Sequence, residues 1–356
     1  MGGVISKTIS IANNTGEPTV SIIVVFPKFP NKYVTLLLDS TSRLSIKYEV
    51  ILVTDLIESE KDAEQSLLDM SKGKPNLTKV RLVLINTEND KEPAFGRNLG
   101  ALLADSSILL FADDDTMVVD DINPLLQYLQ TDKCQGLQPL LIRFAPEIVD
   151  SAGDFIKKVD RTRYTAYCRN AGVPLKILSN LQTDEVPSLR SAFMLVKKDA
   201  FLGVGGFDST FIFNYEDVDL GWRMTCAGYK LLFIPHVKAK HKGSRAASNL
   251  ISDRNLRLEM LNLHAMYLKI APYSFWLYIF FAHFQRSLLR YELARTRQRK
   301  ATYASAIKDL FTMNKLFIER VRQARLHRRI LIRKFHLQGR QKLEDMAHGK
   351  RFIYQL

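Results

Sequence analysis

The sequence predicts an α/β protein with a mainly parallel central sheet, followed by a helical, basic C-terminal region. Three observations predict it. From Thr19 onward, short apolar runs alternate with helix-like stretches, the order of elements that builds a parallel sheet with helical crossovers. The chain has 356 residues, 46% hydrophobic and 25% charged, enough to bury one large core with a smaller appendage. After about residue 250 the alternation stops and helical patterns rich in Lys and Arg take over.

The elements follow in order. Residues 1–18 are polar and read as a disordered segment. Val20 to Phe26 is a buried first strand ended by Pro27, and Tyr33 to Ser42 is the helix after it. Glu49 to Thr54 is a second strand that ends at Asp55; residues 58–72 are helical and charged; Val80 to Ile85 is a third strand. Phe95 to Asp105 is a helix opening on Gly96-Arg97-Asn98, and Ser107 to Phe111 is a fourth strand that runs into Asp113-Asp114-Asp115. Residues 120–131 read as helix, 134–144 as extended chain, and 145–185 as irregular. Ser191 to Val196 resumes as strand, Glu216 to Ala227 as a helix with Gly228 placed for a left-handed C-cap, and Tyr229 to Pro235 as a further strand continued by Val237 to His241. The boundaries predicted are therefore 19–250 for the α/β domain and 251–356 for the helical region.

Charge is unevenly spread. Nineteen basic and five acidic residues lie from Gln285 to the C-terminus, so that segment carries an excess equal to the whole formal net charge of +14. Such a tail is suited to an anionic partner, phospholipid head groups or nucleic acid. Its aromatic residues fall at helical apolar positions rather than as a stacking platform, which favours an anionic membrane surface over nucleic acid. Met266 to Phe284 is apolar and aromatic, but Lys269, Pro272 and His283 interrupt it below the length of a bilayer span. A helix lying in the membrane plane fits better than a span, and burial against the preceding domain is the alternative. Cys134, Cys168 and Cys226 are too scattered for a disulfide framework or a zinc site, and the N-terminus lacks the apolar core of a signal peptide. The location predicted is cytoplasmic, peripheral on the cytoplasmic face of a membrane.

Three groups of residues carry chemistry. Asp113-Asp114-Asp115 stands at the carboxyl end of a parallel strand, where α/β proteins open their ligand crevice. Adjacent carboxylates repel, and a hard divalent cation, Mg²⁺ or Mn²⁺, would offset that repulsion. Plain capping or loop residues are the alternative. Asn214-Tyr215-Glu216-Asp217 opens a helix about a hundred residues later. There the helix dipole stabilises acidic residues, and a carboxylate near a metal-bound diphosphate can take a proton from an attacking hydroxyl. Asp219 and Arg223, at i and i+4, are spaced for a bracing ion pair. His241 lies at a strand end among Lys242, Gly243 and Arg245, whose basic side chains could counter a diphosphate.

These three elements, in this order, resemble family 2 glycosyltransferases of the GT-A fold, inverting enzymes of the rhamnosyl- and galactofuranosyl-transferase kind. The resemblance spans about residues 19–245 and is most specific in FADDDT (111–116) and NYEDVDLGWRMTCAGYKLLFIP (214–235), with VKKDAFLGVGGFD (196–208) before the acidic pair. It implies that Asp113 and Asp115 bind the metal with His241, that Asp217 is the general base, and that Arg97 contacts the nucleobase. Asp114, Lys242 and Arg245 would lie on the nucleotide side, and Ser191, Phe193 and Glu216 on the acceptor side. The sequence departs from the family after the second strand, where Val53-Thr54-Asp55 replaces Val-Asp-Asp, and after the first, where Phe26-Pro27-Lys28 replaces Pro-Thr-Tyr-Asn. Asp55 and Pro27 are accordingly shifted candidates for the nucleotide.

The expected reaction is transfer from a nucleotide-sugar donor to a hydroxyl of a glycan or lipid-linked glycan. Rhamnose, galactofuranose, glucose, mannose and N-acetylhexosamines all suit these motifs. A nucleotidyltransferase would want a glycine-rich phosphate loop, and Ile23 to Pro30 has no glycine. A non-catalytic membrane or nucleic-acid binder on a degenerate transferase fold predicts a broken acidic motif, and every acidic element is intact.

Overall fold

The computed structural model describes residues 5–85, 93–158, 164–178, 180–211, 214–243, 253–270, 297–312 and 315–336, with short pieces at 284–285, 288–289 and 291–292. Its centre is the mainly parallel sheet that the alternation predicts. β2 (Val20–Phe29) lies between β3 (Tyr48–Ile57) and β5 (Ile108–Asp113), parallel to both, and β4 (Leu77–Ile85) extends the parallel set beyond β3. On the other side of β5, β12 (Phe193–Lys197) runs antiparallel and joins it to β7 (Gly136–Arg143). β7 pairs in parallel with β13 (Leu231–His241).

β2 is buried on both faces. Ile22 and Val24 belong to the core layer that includes Val34, Leu37 and Leu38 of helix α1 (Lys32–Ser40), whereas Ile23 belongs to the layer shared with α3 (Pro93–Leu103). α3 approaches closely because it presents glycine: a Cβ at Gly96 would stand 2.7 Å from Val25, and one at Gly100 2.5 Å from Ile23. This close packing sets the depth at which Arg97 leaves the helix. α2 (Glu60–Ser71) follows β3, and α4 (Asn123–Gln130) precedes β7.

The structure corrects two expectations. Within the segment 1–18, expected to be disordered, Ile5–Ala12 forms β1, antiparallel to β4 at the sheet edge, with Ile9 and Ile11 half-buried. Its alternating Ile residues give one apolar face to an otherwise polar strand, and β4 offers an open ladder to pair with. The first strand, expected to end at Pro27, continues as β2 to Phe29. Its pairing with β5 ends at Val25 and only β3 accompanies it further, so a residue without an N–H is tolerated.

The stretch 145–185, irregular in pattern, contributes β8 (Val149–Ser151), an antiparallel pair β9 (Asp154–Lys158) and β10 (Tyr164–Cys168), and the two-residue β11 (Asp184–Glu185) on β13. α5 (Lys198–Gly203) follows β12, and α6 (Glu216–Cys226) leads to Gly228, left-handed at φ 88° as its C-cap position requires. The C-terminal region is helical where described: α7 (Asp253–Ile270), α8 (Arg297–Thr312) and α9 (Lys315–Phe335). α7 packs against α6 and α9. Most of the apolar stretch 266–284 lies outside the described residues. Among the described residues no helix is long and apolar enough to cross a membrane.

Lys269 lies within the described part of that stretch. It is fully buried and donates to Asp208 at 2.6 Å and Asp219 at 2.7 Å. Arg223 pairs with Asp219 at 2.8 Å, the predicted i, i+4 brace, and its guanidinium also donates to the carbonyls of Val204 and Gly206.

Candidate active site

The carboxyl ends of β2 and β5, the start of α6 and the end of β13 surround a cavity of about 790 Å³. β5 delivers Asp113, and a tight turn closed by the Thr116 hydroxyl donating to the Asp113 carbonyl at 2.7 Å reverses the chain into β6 (Thr116–Val118). β6 pairs with the end of β13, Thr116 opposite His241, and the Lys242 N–H donates to the Asp115 carbonyl. Residues 113 and 241 thus meet through a short ladder, although more than a hundred positions separate them.

The His241 Nε2 stands 3.3 Å from Asp115 and 3.7 Å from Asp113, and one ligand atom from each of the three residues lies within 4.8 Å of the others. The opposite ring nitrogen, Nδ1, is 2.8 Å from Asp150, which Arg143 also approaches at 3.3 Å. A carboxylate on one imidazole nitrogen fixes the tautomer and turns the other toward a cation. Burial pushes the His241 imidazole down, but its hydrogen bonds to Asp115 and Asp150, together with the Asp113 charge, outweigh this and lift it to about 10. Two carboxylate oxygens and an oriented imidazole are a donor set that fits a divalent ion.

Asp114 turns away from the trio and accepts from Asn31, which caps α1 through its other side-chain atom. Lys242 donates to the Tyr33 hydroxyl and lies 4.4 Å over its ring. The bond with Lys242 lowers the tyrosine's pKa.

Arg97, expected at the nucleobase, lines the cavity. Its guanidinium is buried, donates to Asp113 at 2.6 Å and to Glu216 at 3.1 Å, and lies 5.5 Å from the Phe207 ring. It ties the acidic turn after β5 to the acidic start of α6. Burial and the neighbouring Asp217 raise the Glu216 carboxyl while Arg97 opposes them.

Asp217 is buried; its carboxylate accepts from its neighbour Val218 N–H at 2.8 Å and from Ser191 N–H at 3.4 Å. Ser191 lines the cavity with it. Phe193 does not, and its acceptor-side assignment is corrected. It pairs with Ala112 in the sheet and its side chain belongs to the apolar core, because Ser191 stands in the turn before β12 whereas Phe193 is the strand's first residue and is already committed to the sheet. Pro27 lines the cavity; Asp55 lies abreast of it in the parallel register, half-buried and outside the cavity lining. Arg245 lies outside the described residues.

Sequence reasoning missed Asp150, Asp154, Arg190 and Tyr33. Asp154 and Cys168 face each other in the β9–β10 register, and Arg190 reaches Asp154 at 3.3 Å and also contacts the Cys168 sulfur. Burial raises the Asp154 carboxyl against the pull of Arg190, and burial with the Asp154 charge raises the Cys168 thiol, so this cysteine is no thiolate nucleophile. Neither DFIKK nor YTAYC alternates apolar and polar residues, so periodicity gave no signal for this pair of strands.

A nucleotide-type crevice at the carboxyl edge of a parallel sheet, with an Asp/Asp/His cluster beside an Asp on a separate helix, defines a GT-A architecture. The family model for glycosyltransferase-like family 2 matches residues 38–251, and the chain belongs to that family. An N-acetylglucosaminyl-diphospho-decaprenol L-rhamnosyltransferase of Mycobacterium tuberculosis is 32% identical over 118 residues, 32% of this chain and 38% of the relative. Rhamnosyltransferase WbbL of Escherichia coli is 25% identical over 152 residues, 39% of this chain and 53% of that protein. The chain thus spans between about a third and a half of these relatives. Among solved structures, Staphylococcus aureus TarS 1–349 superposes with a TM-score of 0.52 at 13% identity, covering 94% of this chain and 93% of that one. At that identity the likeness concerns the fold.

Proposed function

We propose that the protein is an inverting glycosyltransferase that moves a sugar from a nucleoside-diphosphate sugar to a hydroxyl of a glycan or lipid-linked glycan, with Mg²⁺ or Mn²⁺ as cofactor. One observation carries this reading: a single cavity holds the Asp113, Asp115 and His241 cluster and, on a separate helix, the carboxylate of Asp217. Asp113, Asp115 and His241 would hold the cation, which when bound stabilises negative charge on the departing diphosphate. Lys242, braced on Tyr33, is suited to the same phosphates, and Arg245 follows it in sequence. Pro27 and Asp55, at neighbouring strand ends, are assigned to the nucleoside. Asp217 takes the proton of the acceptor hydroxyl while the acceptor oxygen bonds to the anomeric carbon and the bond to the diphosphate breaks on the opposite face. A single displacement of this kind inverts configuration. Ser191 and Glu216 flank the acceptor hydroxyl.

The M. tuberculosis relative, named for a diphospho-decaprenol acceptor, supports a lipid-linked acceptor, and TarS 1–349 crystallised with UDP-GlcNAc, at a TM-score of 0.50, supports a nucleotide-sugar donor. We assign the transfer chemistry to residues 19–250 and membrane contact to 251–356. Arg322, Arg325, Leu326, Arg329, Ile332 and Arg333 are exposed on α9 at intervals that share one helix face, with Leu326 50% and Ile332 39% accessible. Cations around exposed aliphatic side chains suit peripheral binding to an anionic leaflet. The three free cysteines favour the cytoplasmic side.

The test is thermal shift with UDP, GDP, TDP and CMP, in Mn²⁺ and then in EDTA. Metal-dependent stabilisation by one nucleotide is expected, lost in Asp115→Ala and kept in Asp217→Asn, which is inactive in transfer. A folded protein that no nucleotide stabilises, or equal loss of nucleotide binding in both variants, would overturn the roles of Asp115 and Asp217.

A further inference from the structure

The acidic pair is delivered by an unusual turn. Asn214 and Tyr215 are both left-handed, at φ 60° and 71°, and Tyr215 caps α6 without a side-chain hydrogen bond to the helix. Consecutive non-glycine residues in this region persist only where their surroundings hold them. The holding group comes from the C-terminal region. Asn262 of α7, fully buried, donates its Nδ2 to the Asn214 carbonyl at 2.9 Å, and its Oδ1 accepts from Arg320 of α9 at 2.9 Å. Two turns further along α7, Lys269 reaches Asp219 on α6 at 2.7 Å. α7 therefore grips the start of α6 on both sides of Asp217, just before it and just after it. The Asp217 carboxylate itself is oriented by main-chain N–H groups, so its aim follows the path of the backbone at the helix start.

We infer that Asn262 is a positioning residue: by fixing the Asn214 carbonyl it aims Asp217, so that α7, within the region assigned to membrane contact, also supports the transfer chemistry of the preceding domain. The inference rests on the reading of Asp217 as general base. Asn262 touches neither donor nor acceptor in this scheme. It acts through the turn, and because misplacement of a reacting group by about an ångström can cost ~100-fold in rate, a lost hydrogen bond at this point is felt in turnover rather than in donor binding.

The experiment is a double-mutant cycle on the full chain with steady-state kinetics, using Asn262→Ala and Asn214→Gly. Asn262→Ala should lower kcat roughly 10- to 100-fold with donor KM and the metal-dependent UDP or GDP thermal shift nearly unchanged. Asn262→Asp keeps the acceptor for Arg320 but sets an oxygen against the Asn214 carbonyl, and should lose kcat to a similar extent. Glycine adopts φ near 60° without strain, so Asn214→Gly should recover part of the kcat lost in Asn262→Ala, measured relative to Asn214→Gly alone. An unchanged kcat in folded, nucleotide-binding Asn262→Ala overturns the proposal. So does a loss that is the same with and without Asn214→Gly and that merely tracks Tm. Asp217→Asn is assayed beside them. If it retains full rate, the base reading itself fails; if it is dead while Asn262→Ala is normal, only the positioning role does.

Discussion

Lys269→Met probes whether the C-terminal helices belong to the folded body. The ammonium is inaccessible and shared by Asp208 and Asp219 at 2.6 and 2.7 Å. Removing it does not strand both partners equally. Asp219 keeps Arg223 at 2.8 Å, whereas among the described residues Asp208 keeps only neutral donors from Thr210, at 2.9 and 2.7 Å, and the His327 ring at 3.8 Å. One buried carboxylate is then left without a full counter-charge, a change that costs ~3–5 kcal/mol in buried pairs, and the surviving Thr210 bonds put the expectation near ~3. For a chain of this length the unfolding entropy is roughly 0.7 kcal/mol per kelvin, so Tm should fall by about 4 °C.

His327 makes the deficit depend on pH. Burial, and then the charges of Arg223 and Lys269, hold its pKa well below the ordinary value, so in the native protein it is neutral. With Lys269 gone, the imidazole faces an uncompensated Asp208 and its folded pKa rises. A histidine held below its unfolded value destabilises the fold as pH falls below that value, and a rise in the variant relieves part of this penalty, so Lys269→Met recovers some of its loss on the acid side. Thermal melts of Lys269→Met should therefore show a larger deficit at pH 8 than at pH 6, and Asp208→Asn added to it should restore most of the loss at pH 8. A Tm within about 1 °C of wild type at pH 8 would refute a Lys269 buried between two carboxylates, and with it the docking of α7 on α6.

Asp150→Asn removes the carboxylate that orients His241 and should weaken Mn²⁺ affinity ~10- to 100-fold while leaving the fold intact, as read by titration calorimetry. Gly221→Ala would press a methyl into the backbone at Ser188 and to 2.9 Å of the Pro187 carbonyl, a contact that only main-chain movement relieves. It should cost ~2 kcal/mol or more by urea denaturation, and an unchanged midpoint would mean that α6 does not approach that loop. Two carboxyls are held below their usual range although burial pushes them up: Asp208, outweighed by Lys269, and Asp150, outweighed by its bond to His241. Their contribution is present above the unfolded carboxyl value and is lost on acidification. Stability of the metal-free protein should accordingly decline as pH falls from about 4, with Asp208→Asn showing a shallower decline in the same melts.

What the sequence disclosed depends on how far apart the interacting residues lie. Periodicity is a local property, and it located the strands around Ile23, Ile51, Val83 and Leu110 because each is an apolar run long enough to be buried on both faces. It failed at Ile5–Ala12, where half the strand faces water and composition alone reads as polar, and at 145–185, whose strands are as short as two residues. Site residues adjacent in sequence, such as Asp113 with Asp115, were legible as a motif. His241 was placed with them by resemblance, and the β6–β13 ladder supplies the physical cause.

Other residues share a different feature: their placement is set by the direction in which a side chain leaves its element. Phe193 sits two positions after the cavity-lining Ser191, yet its own side chain is committed to the core. Arg97 carries a motif's guanidinium, and the glycines on either side of it draw α3 so close to β2 that the group lies level with Asp113 and Glu216 and pairs with both. The chemistry depends on that placement. Without Arg97, the acidic turn and the acidic helix start would repel across the cavity, and among the described residues His241 would be the cation left at the Asp113 side. The two acidic elements can therefore face one cavity because a buried cation fixed by helix packing holds them together, and what a sequence records as three separate motifs is electrostatically one unit.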